Sequence, residues 1–295
     1  MSAPDVTVGC RVLTVTDAVQ GARIPLWLLY PARAPERVEW FGTYSLSVAS
    51  DAPIEGERLP LVVISHGTGS TPWVLRDLAA SLARAGYVVA LLAHPGNTRG
   101  DDGLAHTPAN LANRPRHVHL VIEAALSDTA IGGRLAPDAV AVIGHSLGGY
   151  TALAVAGGRP MALPHETPDG RAQPVSVVAD PRVRAVVLLA PAAPWLMADD
   201  ALADVDVPIL MRTGEKDLHA PTGYDEVLLR GIRDRSRVDY RIVPNAGHFS
   251  FLSPFPPPMT GPLFPPSQDP PGFDRAAYLP VLCGEVHAFL RGVLP

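Results

Sequence analysis

Residues 139–157 read Ala-Val-Ala-Val-Ile-Gly-His-Ser-Leu-Gly-Gly-Tyr-Thr-Ala-Leu-Ala-Val-Ala-Gly, and few folds accommodate such a run. A short apolar strand through Val140, Val142 and Ile143 ends on a glycine, and an apolar helix built on small residues follows at once. The connection, Gly144-His145-Ser146-Leu147-Gly148, fits G-x-S-x-G. Strand and helix backbones approach so closely at such a turn that the positions two before and two after the serine must be small. The serine at the tip is held in a strained conformation with its hydroxyl in the open. Leu147 opens the helix, so its N–H points toward whatever Ser146 binds. The plainer alternative is a Gly-rich turn whose serine only caps the helix.

The rest of the chain supplies a sheet for this turn to sit on. Val6–Val15 and Ile24–Tyr30 flank a turn region and suggest an opening antiparallel pair. Leu61–Ser65 and Tyr87–Leu92 are continuous apolar strands of the kind buried on both faces. Val183–Leu189, Val207–Met211 and Val238–Val243 read as further strands. Helices are expected at 73–85, 115–126, 223–233 and 275–290. This alternation predicts an α/β protein with one mostly parallel, doubly wound sheet, an N-terminal antiparallel strand pair and irregular covering loops. One domain is expected over 1–295, with loop excursions at about 31–58, 96–113, 158–181 and 249–273, over or near the active-site edge. The last is crowded with proline yet lies inside the domain, which predicts an ordered cover rather than a linker.

Composition removes several function classes. The chain is 47% hydrophobic and 18% charged with a net charge of −5, and no basic stripe offers itself to a phosphate backbone, so no nucleic-acid partner is expected. No uncharged apolar run has the length of a membrane span and no amphipathic anchor is evident, so no stable membrane insertion is expected. Met1–Asp5 lacks a basic start or an apolar run. With Cys10 and Cys283 at opposite ends and read as buried reduced thiols, the expected location is the cytoplasm. Oligomeric state is not legible.

A serine hydroxyl needs a base within hydrogen-bond reach. Of the ten histidines, His248 follows the last strand directly, and in a parallel sheet the loops after the strands gather at one edge. His145 adjoins the serine, but neighbouring side chains diverge at such a turn. His117 and His119 are two apart on a helix and share no face with a completing ligand, so they read as surface residues. The base needs a carboxylate. Asp217, just past a strand end, is favoured over Glu215, Asp199 and Asp200, because Gly214 permits a tight turn back toward the strand ends. An oxyanion needs two donors, and the N–H groups of Leu147 and Thr68 stand where they are required. Trp73, Trp195, Phe249 and Phe251 sit beside the strand-end loops and read equally as pocket walls or core. His94 and Asn97 either face the cleft or shape their own turn.

On these residues the chain resembles the α/β hydrolases over nearly its whole length, in the order Ser146, Asp217, His248. More narrowly it resembles the bacterial dienelactone hydrolase-like branch related to the platelet-activating-factor acetylhydrolases. The matching pieces are Ser65-His66-Gly67-Thr68-Gly69, Ala85-Gly86-Tyr87-Val88-Val89, His94-Pro95-Gly96-Asn97-Thr98, the 144–149 turn, Gly247-His248-Phe249-Ser250-Phe251-Leu252 and 271–277. Dienelactone hydrolases themselves use a cysteine nucleophile, whereas this turn carries Ser146. The acetylhydrolases place the acid after the next strand, where Leu188–Ala193 here offers no carboxylate. The expectation is a serine hydrolase acting on small to medium carboxylic esters through an acyl-enzyme, with no metal or organic cofactor. Alternatives are an acyltransferase or thioesterase using the same three residues on a carrier-bound acyl group, and a non-catalytic ligand-binding scaffold.

Overall fold

The sheet grows outward from strands that must be buried on both faces. In the computed structural model, which describes residues 6–221 and 223–295, the opening pair is β1 (Thr7–Asp17) and β2 (Ala22–Ala32), antiparallel with Thr7 opposite Ala32. A hairpin follows, β3 (Arg37–Phe41) and β4 (Tyr44–Ser50), and then β5 (Leu59–Ser65), α1 (Arg76–Arg84) and β6 (Val88–Leu92). Next come α2 (Pro108–Ser127), β7 (Leu135–His145), α3 (Leu147–Val155) and the short pair β8 (Met161–Ala162) and β9 (Gln173–Pro174). The chain closes with β10 (Val183–Leu189), β11 (Ile209–Gly214), α4 (Gly223–Gly231), β12 (Val238–Val243) and α5 (Arg275–Val293). Met1–Asp5 lies outside the described residues.

Ten strands form one sheet in the order β12-β11-β10-β7-β5-β6-β2-β1-β4-β3. The neighbours from β12 through β6 are all parallel, and β2 joins β6 antiparallel. Alternate residues of β5 explain the layering. Leu61 and Val63 face a core shared with Val118 and Ile122 of α2, Leu153 of α3 and Leu228 of α4. Val62 and Ile64 face Leu78 and Leu82 of α1 and Leu282, Val286 and Leu290 of α5. The central strands thus pack on both sides, as their apolar sequences require. No helix among the described residues is long and apolar enough to cross a membrane.

Three expectations need correction. The excursion at 31–58 is not merely irregular: β4 pairs parallel with β1, Ala49 opposite Gly9, and carries the sheet outward. Its edge position leaves Trp40 exposed, so no clean alternation marks it. Helix α2 starts at Pro108, well before 115, with Thr107 accepting from the Asn110 N–H and Pro108 in the first turn. Pro115 sits inside that helix and is no boundary. Strand β11 runs on through Arg212, a cation that looks like a strand end but is buried and held by Asp239 and Glu285.

Candidate active site

Four strand ends meet at one rim. After β7 the backbone turns at Ser146 with φ 54° and ψ −120°, a left-handed strain costing about 1–3 kcal/mol. It persists because the surroundings pin it: the Ser146 N–H donates to the Leu189 carbonyl at 3.1 Å, and its own carbonyl accepts from Gly149 and Ala192 at 2.8 and 2.9 Å. A Cβ on Gly144 would drive into the Gly148 carbonyl, and one on Gly148 into that of Ser65. The small residues of the motif are therefore steric necessities.

His248 arrives on the turn after β12. Its Nε2 lies 2.9 Å from Ser146 Oγ and its Nδ1 2.8 Å from Asp217 Oδ2. Asp217, on the turn after β11, spends its other oxygen on the N–H groups of His219 and Ala220, both at 2.8 Å. Burial alone would raise this carboxyl; the bonds from His248 and the two N–H groups outweigh it and hold the group below the usual carboxylate range. Gly214 matters differently from the sequence expectation. It has no left-handed φ, and instead a Cβ there would stand 2.5 Å from the Ala246 carbonyl, so it lets the two loops close on each other. The rival carboxylates are elsewhere: Glu215 caps the Asn245 N–H and Asp199 and Asp200 are exposed.

His145 does point away from the hydroxyl. Its Nε2 donates to the His248 carbonyl at 2.9 Å, and burial, then the neighbouring His248, push it down to about 3. It is a neutral strut under the His248 turn.

The loop after β5 lies against Ser146: a Cβ on Gly67 would come within 3.2 Å of the serine Cβ. The Thr68 and Leu147 N–H groups donate to nothing among the described residues. A network not anticipated from sequence fixes this loop. Arg114 of α2, fully buried, donates to the His66 carbonyl, to Asn97 Oδ1 at 2.7 Å, to Thr151 Oγ1 at 3.0 Å and to Ser65 Oγ at 3.2 Å. Among the described residues no carboxylate bonds to it, and burial pulls its guanidinium down to about 9. Asn97 in turn donates to Thr68 Oγ1 at 2.9 Å. Ser65 Oγ bonds His94 Nε2 at 2.9 Å, His94 Nδ1 meets His117 Nδ1 at 3.1 Å, and His117 Nε2 meets Gln20 Oε1 at 2.7 Å. One proton ordering satisfies the whole chain with every imidazole neutral. Burial first, and Arg114 among the further causes, hold His66 and His117 near 3 and His94 well below its ordinary value.

This overturns two placements. His94 is fully enclosed in that network and not on a cleft wall, and His117 is a buried member of it rather than a surface residue; only His119 is partly exposed, beside Asp180. Trp73 is likewise core, stacked on Phe41 at 3.8 Å between ring centres, and Phe251 is fully buried.

Ser146 opens on two spaces. The larger, about 560 Å³, is walled by Val74, Phe249, Leu252, Phe255 and Phe264, with Arg99 and His219 at its edge. The proline-rich segment forms part of this wall and is tied down by Arg275, which is buried and binds Asp269 and the Pro266 carbonyl. The smaller, about 90 Å³, is lined by Thr68, Leu147 and Trp195. His219, Arg99 and the phenylalanines of the proline-rich segment, which line the larger space, carry no local signal in the sequence.

A strand-end serine bent into a left-handed turn, between a parallel sheet and the helix that follows, is the decisive feature. The chain has the α/β-hydrolase fold. The model of the family described as serine aminopeptidase S33 matches residues 56–193, which span β5, the Ser146 turn and β10. The chain is similar to the ferulic acid esterase of Streptomyces cinnamoneus, at 19% identity and a TM-score of 0.68, over 99% of this chain and 92% of the esterase. It is similar also to the dienelactone hydrolase of Anabaena variabilis, at 17% identity and a TM-score of 0.58, over 99% of this chain and all of the other. No curated protein matches the chain in sequence.

Proposed function

We propose that this α/β hydrolase is a serine esterase that cleaves small to medium carboxylic esters through an acyl-enzyme. The observation that carries the reading is the unbroken relay Asp217–His248–Ser146, at 2.8 and 2.9 Å, at the mouth of an apolar cavity. Ser146 attacks the ester carbonyl while His248 Nε2 takes its proton; Asp217 keeps the other ring nitrogen protonated and stabilises the imidazolium. The Thr68 and Leu147 N–H groups face the developing oxyanion, and His248 returns the proton to the leaving alcohol. Water, activated by the same imidazole, then releases the acid. Every step uses protein groups and water.

The cavity supports a substrate that carries one medium apolar group. At about 560 Å³ with aromatic walls it encloses a medium alkyl or aryl group. General-base action supplies ~10²–10⁴-fold and oxyanion donors a similar factor. Ser146→Ala should therefore abolish turnover of p-nitrophenyl butyrate while leaving the melting temperature near that of the native chain. Retained turnover would refute the assignment.

A further inference from the structure

We propose that His106, His165 and Glu166 form a zinc site at the outer end of the smaller cleft. One ligand atom from each lies within 4.8 Å of the other two. They come from two covering segments: His106 from the loop before α2, His165 and Glu166 from the turn following β8.

Two further observations point to a cation. Glu166 is buried, 7% exposed, yet no Lys or Arg pairs with it among the described residues; its carboxylate meets only neutral donors. These are the Leu163 N–H at 2.8 Å and Trp195 Nε1, at 3.0 and 2.8 Å to its two oxygens. A buried carboxylate without a counter-charge is costly, and a divalent ion offsets it. The same donors fix the carboxylate's orientation, as outer partners do around metal ligands; Oε2 accepts two of these bonds and Oε1 one, which leaves Oε1 a lone pair for the ion. The two imidazoles, by contrast, are exposed and free to turn. Tetrahedral zinc with ~2.05 Å bonds holds its ligand atoms ~3.3 Å apart, so the imidazoles need to close by at most about 1.5 Å. Two His and one carboxylate is an ordinary zinc donor set with a fourth position left for water.

His106 and Glu166 also line the cleft that reaches Ser146, Leu147 and Thr68. An ion held there clasps the two segments together and closes that cleft's far wall. The site takes no part in the acyl chemistry proposed above and does not depend on it.

The test is isothermal titration of chelator-treated protein with zinc chloride, repeated with Co²⁺ to read its visible absorption. Native chain and Ser146→Ala should both bind one zinc in the micromolar range, and saturation should raise the melting temperature by several degrees. His106→Ala and His165→Ala, surface changes that leave the fold intact, should each weaken binding about tenfold or more. Trp195→Phe, which removes the outer donor, should weaken it ~10–100-fold. Absence of binding, or binding undiminished in the His106→Ala/His165→Ala double variant, overturns the site.

Discussion

Replacing Asp217 by Asn tests the orienting carboxylate without changing its shape. One oxygen of Asp217 accepts two backbone N–H groups at 2.8 Å, and the other faces His248 Nδ1. An asparagine that keeps its oxygen on the N–H pair presents its NH₂ to His248. The imidazole then switches tautomer and points an N–H at Ser146, where it cannot act as base. The opposite flip restores the correct tautomer but sets NH₂ against two N–H groups. That sacrifices two buried hydrogen bonds, about 2–3 kcal/mol, leaving roughly 0.6–3% of molecules competent. The expected fall in kcat therefore lies between about 10², set by that flip, and the ~10⁴ seen for such a change in another Ser-His-Asp triad. The assay is steady-state hydrolysis of p-nitrophenyl butyrate, with circular dichroism to verify folding. A loss of less than tenfold in a folded variant would show that Asp217 does not govern the His248 tautomer.

Arg114→Met removes the hub that holds the His66 carbonyl and Asn97; kcat should drop about 10–100-fold with a smaller change in KM, because the loop bearing Thr68 loosens while the aromatic wall of the large cavity keeps its own supports. A kcat within twofold of native would separate that network from catalysis. Phe255→Ala enlarges the 560 Å³ cavity and should shift the preferred p-nitrophenyl ester to longer acyl chains, with several-fold gains in kcat/KM for them; an unaltered chain-length profile argues against this cavity as the binding lobe. Acidification should destabilise the fold. His66, His117 and His145 are neutral in the native state down to about pH 3, whereas the unfolded chain protonates them near 6.5. Between those values the unfolded state binds more protons, so stability falls with pH by roughly 1 kcal/mol per unit for each group. Asp225, raised to about 6 by burial, opposes this with one group between about pH 4 and 6. The melting temperature should thus drop steadily from pH 7 to 4, and a flat profile would contradict the buried neutral network.

The centre of the sheet was legible because strands buried on both faces show as apolar runs, and Leu61–Ser65 and Val183–Leu189 lie within a residue or two of where the structure has them; the edge strand Val238–Val243, half exposed, was legible from its β-branched and aromatic residues. Ser146 and His248 were legible for a related reason: a parallel sheet gathers the loops after its strands, so sequence order translates into position. Asp217 followed from the same geometry, although Gly214 serves close packing rather than a left-handed turn. The hairpin at 37–50 escaped because an edge strand exposes half its residues. The network of Arg114, His94 and His117 escaped for a deeper reason. A buried polar group looks like a surface group in sequence, and only tertiary contacts reveal that each has its partner. The phenylalanines of the proline-rich cover gave no period by which to place them over Ser146.

Covalent labelling with a fluorophosphonate, followed by peptide mass mapping, addresses the central claim most directly. An activated hydroxyl at Ser146 predicts one adduct, on the peptide holding residues 144–148, formed at least a hundredfold more slowly in a folded His248→Ala variant. An adduct on another residue, or labelling of Ser146 that proceeds equally fast without the imidazole, would contradict it.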